Sequence, residues 1–243
     1  MDRLVYLSMS GAKATLQRQD VLAHNLANAS TPGFRAEMAA FRSVPVRGDG
    51  ASTRAYALES TIGHDDRPGP VQTTGRELDL ALVGRSWLAV QGADGTEAYT
   101  RGGALDLSPE GDLVTRSGLQ VLGDGGPNNV PAGAQVEIAP DGSISARSGS
   151  AAPQRIGRLK LVTPEAPLLR GGDGLFRSAD GGGLDADPAA RVQQGALEGS
   201  NVAAVETMVA MIAASRQFEQ QMKLLQTAEH NEQAAAKLLG NAG

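Results

Sequence analysis

Residues 22–37, LAHNLANASTPGFRAE, change within a few positions from a helical pattern to a sharp turn. A helix is expected to end here, because Pro32 lacks a backbone donor and its ring clashes with a preceding helical turn. Pro32 and Gly33 suit the two central positions of a type II turn, in which the second central residue has a positive φ. Phe34 can then anchor the chain after the turn. This stretch predicts the first boundary of the fold.

Two asparagines precede this turn. Asn25 and Asn28 lie three residues apart, so they share one face of the predicted helix. Their amides can bond exposed backbone groups near the helix end or groups of a neighbouring chain. A cap within one chain and a contact between chains both remain open on this pattern alone.

Proline divides the chain into zones. All 12 prolines fall between Pro32 and Pro188, and proline is strongly disfavoured inside helices. The two proline-free ends are therefore predicted to be helical. We expect an N-terminal helix, an extended arm with short strands, a β-rich central domain and a C-terminal helix, in residues 1–31, 32–76, 77–188 and 189–243.

The N-terminal helix has a thin apolar stripe, weakened by a glutamine and by alanines. Its members follow an alternating four- and three-residue spacing that places them on one helical face: Val5, Met9, Ala12, Leu16, Gln19, Ala23 and Leu26. Gly11 costs about 1 kcal/mol of helix propensity relative to alanine. We therefore expect this helix to need a partner.

The C-terminal helix is the candidate partner. Asn201 is its predicted N-cap, and no glycine or proline interrupts the chain from there to Leu239. Such a helix spans about 58 Å at 1.5 Å per residue. Two adjoining apolar stripes suit contact with more than one neighbour: Met211, Ser215, Phe218, Met222 and Leu225 form one, and Val202, Val205, Val209 and Ile212 form the other. Taken alone, the two ends favour an intramolecular helical hairpin.

The central segment has the pattern of short antiparallel strands. Apolar or alternating stretches flank turns such as GADG at 92–95, PEG at 109–111 and PDG at 140–142. Hairpins repeated at this spacing predict a small antiparallel sandwich or barrel-like domain. The predicted strands lie in ELDLAL (77–82), WLAVQ (87–91), EAYTR (97–101), ALDLSPEGDLVT (104–115), VEIAPDGSISA (136–146), RLKLV (158–162) and GLFRS (174–178).

Composition argues against several classes of protein. The net charge of −5 and the pI near 5.3 argue against a nucleic-acid binder, which needs a basic patch to displace phosphate counterions. No apolar run approaches the ~20 residues that cross a bilayer, so we expect no membrane insertion. The first residues lack the pattern of a secretory signal. The absence of cysteine excludes disulfides and is compatible with export in an unfolded form.

No motif predicts catalysis. His64-Asp65-Asp66 is the best metal-like cluster, but consecutive loop side chains rarely converge on one ion, so we expect a solvated loop. Glycine-rich segments lack the context of a phosphate cradle, and no serine lies in a G-x-S-x-G elbow. Solvent exposure explains the shared strand face of Glu77 and Asp79. We expect no catalytic residue, cofactor, metal ion or small-molecule substrate.

The two ends together resemble a known protein family. NLANASTPGF, residues 25–34, closely resembles the N-terminal signature of the bacterial flagellar axial proteins, the rod and hook family. GALEGSNVAAVETMVAMIAASRQFE, residues 195–219, resembles the C-terminal signature, and residues 76–115 resemble the first central strands. The resemblance covers almost the full chain. His24 replaces the Asn or Ser that the family often has, and Ser86 replaces a common glycine, so the local packing there is open.

The resemblance implies a structural subunit of the flagellar basal-body rod, and it overrides the purely intramolecular hairpin. The implied fold is mainly β with discontinuous α-helical ends, in which the N- and C-terminal helices form a coiled-coil-like rod domain around an inserted antiparallel β-rich domain. Helices of different subunits would pack into the inner tube of a shaft that transmits torque. The residues expected at subunit contacts are Leu16, Leu22, Asn25, Leu26, Asn28, Pro32, Gly33, Phe34, Asn201, Val202, Val205, Met208, Val209, Ile212, Phe218, Met222 and Leu225.

The implied partners are further copies of the chain, other proximal and distal axial rod proteins, and the flagellar type III export apparatus. Export would occur without a cleaved signal peptide, into a rod that spans the periplasm. The short length and stretches such as residues 28–46 are most similar to the proximal rod branch of the family, and the distal rod branch is the alternative. Two other classes are weaker alternatives: a secreted peptidoglycan hydrolase, and an adhesin-like β domain with a helical stalk.

Overall fold

The computed structural model of the chain describes residues 2–45, 55–131, 133–149 and 151–240. The chain forms two compact units, each combining segments that are distant in the sequence. Unit 1 contains Met1–Ala29, Glu37–His64 and Val202–Gly243, and unit 2 contains Ser30–Ala36 and Asp65–Asn201. The four-segment division expected from proline content remains a prediction.

Unit 1 consists of two long helices and a hairpin. Helix α1 spans Asp2–Ala27, helix α2 spans Ala204–Gly240, and the antiparallel strands β1 and β2 span Glu37–Pro45 and Ala55–His64. α1 contacts α2 and both strands. The packing of the terminal helices on each other confirms this part of the predicted fold class. At 37 residues, α2 is about 55 Å long. Neither helix, over its described residues, has an apolar stretch long enough to cross a membrane.

The packed face of α1 coincides with the predicted stripe only in part. Ala12, Gln19 and Leu26 of that stripe are shielded, but Met9 is 54% exposed and Leu16 is 45% exposed. A Cβ added to Gly11 would lie 3.1 Å from the side-chain amide of Gln221, so this side chain of α2 packs against the glycine. The shielded positions repeat at four- and three-residue spacing and include Ser8, Ala12, Thr15, Gln19, Leu22 and Leu26.

α2 uses part of its first predicted stripe within the chain. Met211, Phe218 and Leu225 are half-buried, but Ser215 and Met222 of the same stripe are exposed. The shielded face is rotated toward smaller and polar residues, as it is on α1. We call this face the seam of α2; it consists of Thr207, Met211, Ala214, Phe218, Gln221, Leu225 and Ala228.

Three of the four residues of the second predicted stripe face solvent, whereas Val202 precedes α2 and is half-buried. Val205 is 71% exposed, Val209 is 61% exposed and Ile212 is 57% exposed. Since consecutive helical residues are about 100° apart, these three side chains lie on the opposite side of α2 from the seam. We call them the outer face of α2. The contact between the seam and α1 does not bury this face, so its burial requires another partner.

Unit 2 is built from short strands. They are β3 (Val71–Thr73), β4 (Leu80–Leu82), β5 (Trp87–Gln91), β6 (Glu97–Thr100), β7 (Leu105–Leu107), β8 (Leu113–Thr115), β9 (Leu122–Gly123), β10 (Gly126–Pro127), β11 (Gln135–Ile138), β12 (Ser143–Arg147), β13 (Gln154–Arg158), β14 (Leu161–Val162), β15 (Leu169–Arg170), β16 (Phe176–Arg177), β17 (Val192–Gln194) and β18 (Ala196–Glu198).

These strands form several small antiparallel sheets. The largest has five strands in the order β14-β5-β6-β16-β15, and β11-β12-β13 form a three-stranded sheet. The others pair as β17–β4, β18–β3, β7–β8 and β10–β9. Antiparallel pairing throughout the described strands confirms the predicted class of the central region. The two strands that open unit 2, β3 and β4, pair with the two that close it.

Strand β5 is buried on both faces. Leu88 and Val90 belong to the main core, whereas Trp87 and Ala89 belong to a second, smaller cluster. In that cluster the rings of Trp87 and Phe176 lie 4.6 Å apart. Burial on both faces explains why this strand is a continuous apolar run rather than an alternating one.

The same five-residue turn recurs at 92–96, 108–112, 115–119, 139–143 and 171–175. In each, the first residue donates its N–H to the carbonyl of the fifth, and the fourth is a glycine with positive φ. A side-chain oxygen accepts the N–H of the fifth residue, from Asp94, Ser108, Thr115, Asp141 or Asp173. This pattern is that of a type I turn followed by a glycine bulge. The predicted turns at GADG, PEG and PDG are confirmed.

Two strand predictions need correction. In ELDLAL only Leu80–Leu82 form a strand, and all three residues are buried. Asp79 is also buried, so its expected solvated position beside Glu77 is wrong. Arg76 makes burial of this carboxylate possible, because its guanidinium lies 3.1 Å from the Asp79 carboxylate. RLKLV is divided between the end of β13 and β14.

Gly111 should tolerate substitution far less than Gly95. Both have positive φ, but an added Cβ would lie 2.3 Å from the Val130 carbonyl oxygen at Gly111 and meet nothing within 4 Å at Gly95. Gly95→Ala should cost about 1 kcal/mol for the left-handed backbone, and Gly111→Ala about 2 kcal/mol more because the backbone must move. Urea unfolding followed by the fluorescence of Trp87, the single tryptophan, measures both. Equal losses would contradict the turn geometry.

Candidate assembly site

The turn after α1 is the predicted type II turn. The Phe34 N–H donates to the Thr31 carbonyl at 3.2 Å, and Gly33 has a φ of +72°. A Cβ on Gly33 would lie 2.2 Å from the backbone carbonyl carbon of Arg101. Glycine is therefore required here both by the backbone conformation and by the close approach of a second segment.

A single carboxylate lies beneath this turn. Glu198 accepts a 2.6 Å hydrogen bond from Arg35 Nη1 on one oxygen and a 2.9 Å bond from Arg101 Nε on the other. Its first oxygen also accepts the N–H of Gly69 at 3.0 Å, and its backbone carbonyl accepts the N–H of Gly33 at 2.8 Å. Glu198 thus joins residues from both ends and from the middle of the chain.

The three charged side chains are almost fully buried, with exposures of 3% for Arg35, 2% for Arg101 and 1% for Glu198. Burial lowers the pKa of the Arg101 guanidinium, and Glu198 opposes that shift. The same guanidinium also donates to backbone carbonyls of Leu82, Gly84 and Ser86. Arg35 Nε has no hydrogen-bond partner within the described part of the chain. The cluster contains two cations and one anion, so both buried guanidinium groups depend on the single carboxylate of Glu198 for charge compensation.

The Asn201 side chain links separate backbone segments and does not act as the predicted N-cap. Its side-chain oxygen accepts the N–H of Ala36 at 2.7 Å, and its amide donates to the carbonyls of Asp65 and Arg67. α2 begins later, with the Ala203 carbonyl accepting the first intrahelical bond from Thr207. The N-cap prediction is wrong because the Asn201 side chain is already committed to these backbone groups.

Two further contacts fix the segment after the turn. Arg170 lies over the Phe34 ring at 4.4 Å and donates to the Arg35 carbonyl at 3.2 Å. The Asn201 N–H also donates to the Phe34 carbonyl at 3.3 Å. The predicted anchoring role of Phe34 is therefore confirmed. We call Gly33, Arg35, Arg101, Glu198 and Asn201 the junction, and all of it lies in unit 2.

The asparagines at the end of α1 satisfy backbone groups of their own chain. Asn25 bonds both the N–H and the carbonyl of Glu37, at 2.8 and 2.9 Å. Asn28 donates to the His24 carbonyl at 3.0 Å. His24 lies 3.0 Å from the Glu37 carboxylate, so the residue that departs from the family pattern also contacts the start of β1.

Ser86, the other departure from the family pattern, is buried. Its hydroxyl donates to the Val83 carbonyl at 2.8 Å. The hydroxyl is thus satisfied locally, just before the buried strand β5.

The residues predicted at subunit contacts differ in exposure. Asn25, Gly33 and Phe34 are buried within the chain, where the bonds described above account for them. The half-buried members are Leu22, Leu26, Asn28, Pro32, Asn201, Val202, Phe218 and Leu225. The exposed members are Leu16, Val205, Met208, Val209, Ile212 and Met222. The predicted contact between subunits rests most directly on the exposed set, which includes the whole outer face of α2.

Sequence reasoning missed the three charged residues of the junction. Arg35 and Arg101 have no distinctive spacing. The sequence contained one signal that Glu198 is buried. Ala196 and Glu198 are two residues apart and therefore lie on the same face of a strand, and Ala196 is apolar. A carboxylate on the inward face of a strand indicates a buried partner of opposite charge.

In the described ranges, no three His, Cys, Asp or Glu side chains are placed to hold a metal ion. Asp65 of the His64-Asp65-Asp66 stretch bonds Arg67 instead, and this bond lowers the pKa of its carboxyl group.

Removing the charge of Glu198 should destabilise unit 2. Glu198→Gln leaves two buried guanidinium groups without a counter-ion, which should cost about 3–5 kcal/mol. Asp106→Asn is the control, because Asp106 pairs with Arg76 at 47% exposure and its loss should cost at most about 1 kcal/mol. Urea unfolding monitored by Trp87 fluorescence measures both. Similar losses in the two variants would contradict the role assigned to Glu198.

Comparison with known proteins gives matches along most of the chain. Residues 6–35 match the family "Flagella basal body rod protein", residues 81–146 match "Flagellar hook protein FlgE/F/G D1 domain", and residues 193–238 match "Flagellar basal body rod FlgEFG protein C-terminal". The junction residues Gly33 and Arg35 lie in the first match, and Glu198 lies in the third.

Full-length relatives point to one branch. The flagellar basal-body rod proteins FlgF of Salmonella typhimurium and Escherichia coli are 47% and 48% identical to the chain, over 98% of this chain and 99% of each relative. The rod protein FlgG of Agrobacterium fabrum is 31% identical over similar shares. The function is therefore structural rather than enzymatic, which sets aside the peptidoglycan hydrolase alternative. The chain belongs to the FlgF family of flagellar basal-body rod proteins.

Proposed function

We propose that the chain assembles through its terminal helices with further copies of itself and with other axial rod subunits, and that it occupies the proximal part of the rod. In this arrangement the outer face of α2 becomes buried between subunits. The assembled helices form the shaft that transmits torque.

The outer face of α2 is the observation that carries this proposal. Val205, Val209 and Ile212 leave more than half of their surface in water, although α2 already packs on α1. Burial of apolar surface contributes about 25 cal/mol per Å². Such a row of aliphatic side chains at helical spacing is typical of a helix that packs on a second helix.

The junction supports a mechanical role. Along the chain, unit 2 adjoins unit 1 at Ser30, Ala36, Asp65 and Asn201, and residues 33–36 and 198–201 contain two of these four points. The Gly33 N–H bond, the two arginine bonds and the Asn201 bonds tie these stretches together and to the strands of unit 2. A force applied to one of these two stretches is thereby distributed over both stretches and does not act on a single backbone segment.

Export is the remaining part of the proposal. We expect passage through the flagellar type III apparatus, because the chain belongs to a family of axial rod proteins. The absence of cysteine means that no disulfide can form during passage or in the periplasm.

A charge on the outer face should block assembly without unfolding unit 2. Ile212→Asp places a carboxylate where we expect a buried contact, and an unpaired buried charge is costly. Its incorporation into isolated basal bodies should fall at least about tenfold, with loss of motility in cells that make only this variant. Val83→Asp is the matched control, because Val83 is 52% exposed but lies in unit 2. Normal motility of Ile212→Asp cells would contradict the proposed interface.

In the dilute monomer, amide exchange in α1 and α2 should be much faster than in β5 and β6. The helix contacts bury small side chains such as Ala12 and Ala214, which provide little apolar area. Hydrogen exchange followed by mass spectrometry or NMR measures this difference. Strong protection throughout both helices of the monomer would count against assembly as their main source of stability.

A further inference from the structure

A glycine-rich segment of unit 2 lies against the smaller of its two apolar clusters. We call residues 178–186 the strap, and none of these nine residues, all of them described, belongs to a helix or strand. Leu184 is the large apolar residue of the strap; it is half-buried and packs against the cluster. We call this cluster the minor core; it consists of Trp87, Ala89, Tyr99, Val162, Leu168 and Phe176.

One hydrogen bond connects the backbone of the strap to the five-stranded sheet. The Leu184 N–H donates to the Tyr99 hydroxyl at 2.6 Å. Over residues 179–186, no other backbone group bonds a separate segment of the described chain. The next attachment is at Asp187, whose N–H donates to the Leu161 carbonyl at 2.7 Å. The strap is therefore held by one apolar side chain and one backbone bond.

The Tyr99 hydroxyl is itself fixed by the sheet. It donates to the Glu97 carboxylate at 2.8 Å, and Lys160 pairs with the other oxygen of this carboxylate at 2.8 Å. Burial raises the pKa of the Tyr99 hydroxyl, so the hydroxyl stays protonated and continues to donate to Glu97. The acceptor of the Leu184 bond thus stays in place when the strap moves away.

Three consecutive glycines, residues 181–183, favour release of the strap, because glycine has more backbone freedom than any other residue. Gly181 has a φ of +72°, whereas Gly182 has no positive φ. A Cβ added to Gly182 would meet its nearest atom, on Asp180, at 3.8 Å. The closed strap therefore accommodates alanine at position 182, and alanine there reduces the backbone freedom gained on opening.

We propose that the strap opens as a local unit while the five-stranded sheet stays folded, and that opening exposes the minor core to water. Local unfolding occurs where few buried apolar contacts and few backbone bonds hold a segment. The neighbouring strand β5 has the opposite character, because Leu88, Ala89 and Val90 are fully buried and β5 pairs with β14 on one side and β6 on the other. The opening involves unit 2 alone, so it does not depend on the proposed assembly.

Hydrogen exchange of the full chain at low urea concentrations tests the local opening. The Leu184 amide should exchange at least about tenfold faster than the Ala89 amide, which bonds the Lys160 carbonyl. Urea should barely change the Leu184 rate, because opening of the strap exposes little surface, whereas the Ala89 rate should rise steeply. Equal rates with a parallel urea dependence would overturn the proposal, since the strap would then open only with the sheet.

Two substitutions in the strap should change its opening in opposite directions. Leu184→Ala removes the apolar anchor and should raise the exchange rate at position 184 about tenfold, after correction for the intrinsic rate. Gly182→Ala should lower this rate about two- to fivefold. Leu169→Ala is the matched control, because Leu169 is 58% exposed on β15, an edge strand of the same sheet, and its truncation should leave the rate unchanged.

The fluorescence of Trp87 verifies that each variant is folded before exchange is measured. Faster exchange in Leu184→Ala, slower exchange in Gly182→Ala and no change in Leu169→Ala support the proposal. Equal acceleration by Leu184→Ala and Leu169→Ala, or an unchanged or raised rate in Gly182→Ala, overturns it. If Leu184→Ala does not fold, Gly182→Ala and the urea dependence of the unsubstituted chain still decide the outcome.

Discussion

Glu198 holds the ends of unit 2 together. Its carboxylate is shared by Arg35, which follows the first helix and its turn, and Arg101, which follows strand β6. Because all three side chains are nearly inaccessible to water, each charge depends on the others for stabilisation. The type II turn at Gly33, the pairing of opening and closing strands, and the side-chain bonds of Asn201 all surround this cluster. The three charged side chains therefore hold residues 33–36 and 198–201 together within the β body.

The two helices of unit 1 are held together by contacts of a different kind. α1 and α2 meet through small or polar residues such as Ala12, Thr15 and Ala214, while larger aliphatic residues such as Ile212 remain outside. The Gln221 side chain packs against Gly11, and contacts of this kind bury little apolar area. In the assembly that we propose, the aliphatic surface that the single chain exposes becomes buried between subunits.

Local chemistry allowed much of the fold to be predicted. Pro32-Gly33 required a turn of one type, and the Asp-Gly or Glu-Gly turns located the hairpins at 92–95, 109–111 and 140–142, because glycine accommodates positive φ without strain. The existence of both helices followed from the absence of proline. These are properties of a few consecutive residues, so a single sequence contains them.

Long-range pairing was not accessible in the same way. Periodicity placed Met9 and Leu16 on one face of α1 with Ala12, but it could not show that the packed face is rotated toward Ser8 and Thr15, since this depends on where α2 lies. Asn201 looked like a helix cap because its local sequence permits one, yet its side chain bonds Ala36, which is distant in sequence. Arg35, Arg101 and Glu198 meet only through the tertiary fold.

The most direct test of assembly through the outer face is the accessibility of Val209. A single Val209→Cys variant can be labelled with a maleimide as a free subunit and again in isolated basal bodies, with Val83→Cys as an exposed control in unit 2. The assembly account predicts rapid labelling of both sites in the free subunit and protection of Val209→Cys alone after assembly. Equal labelling of Val209→Cys in the two states would contradict it.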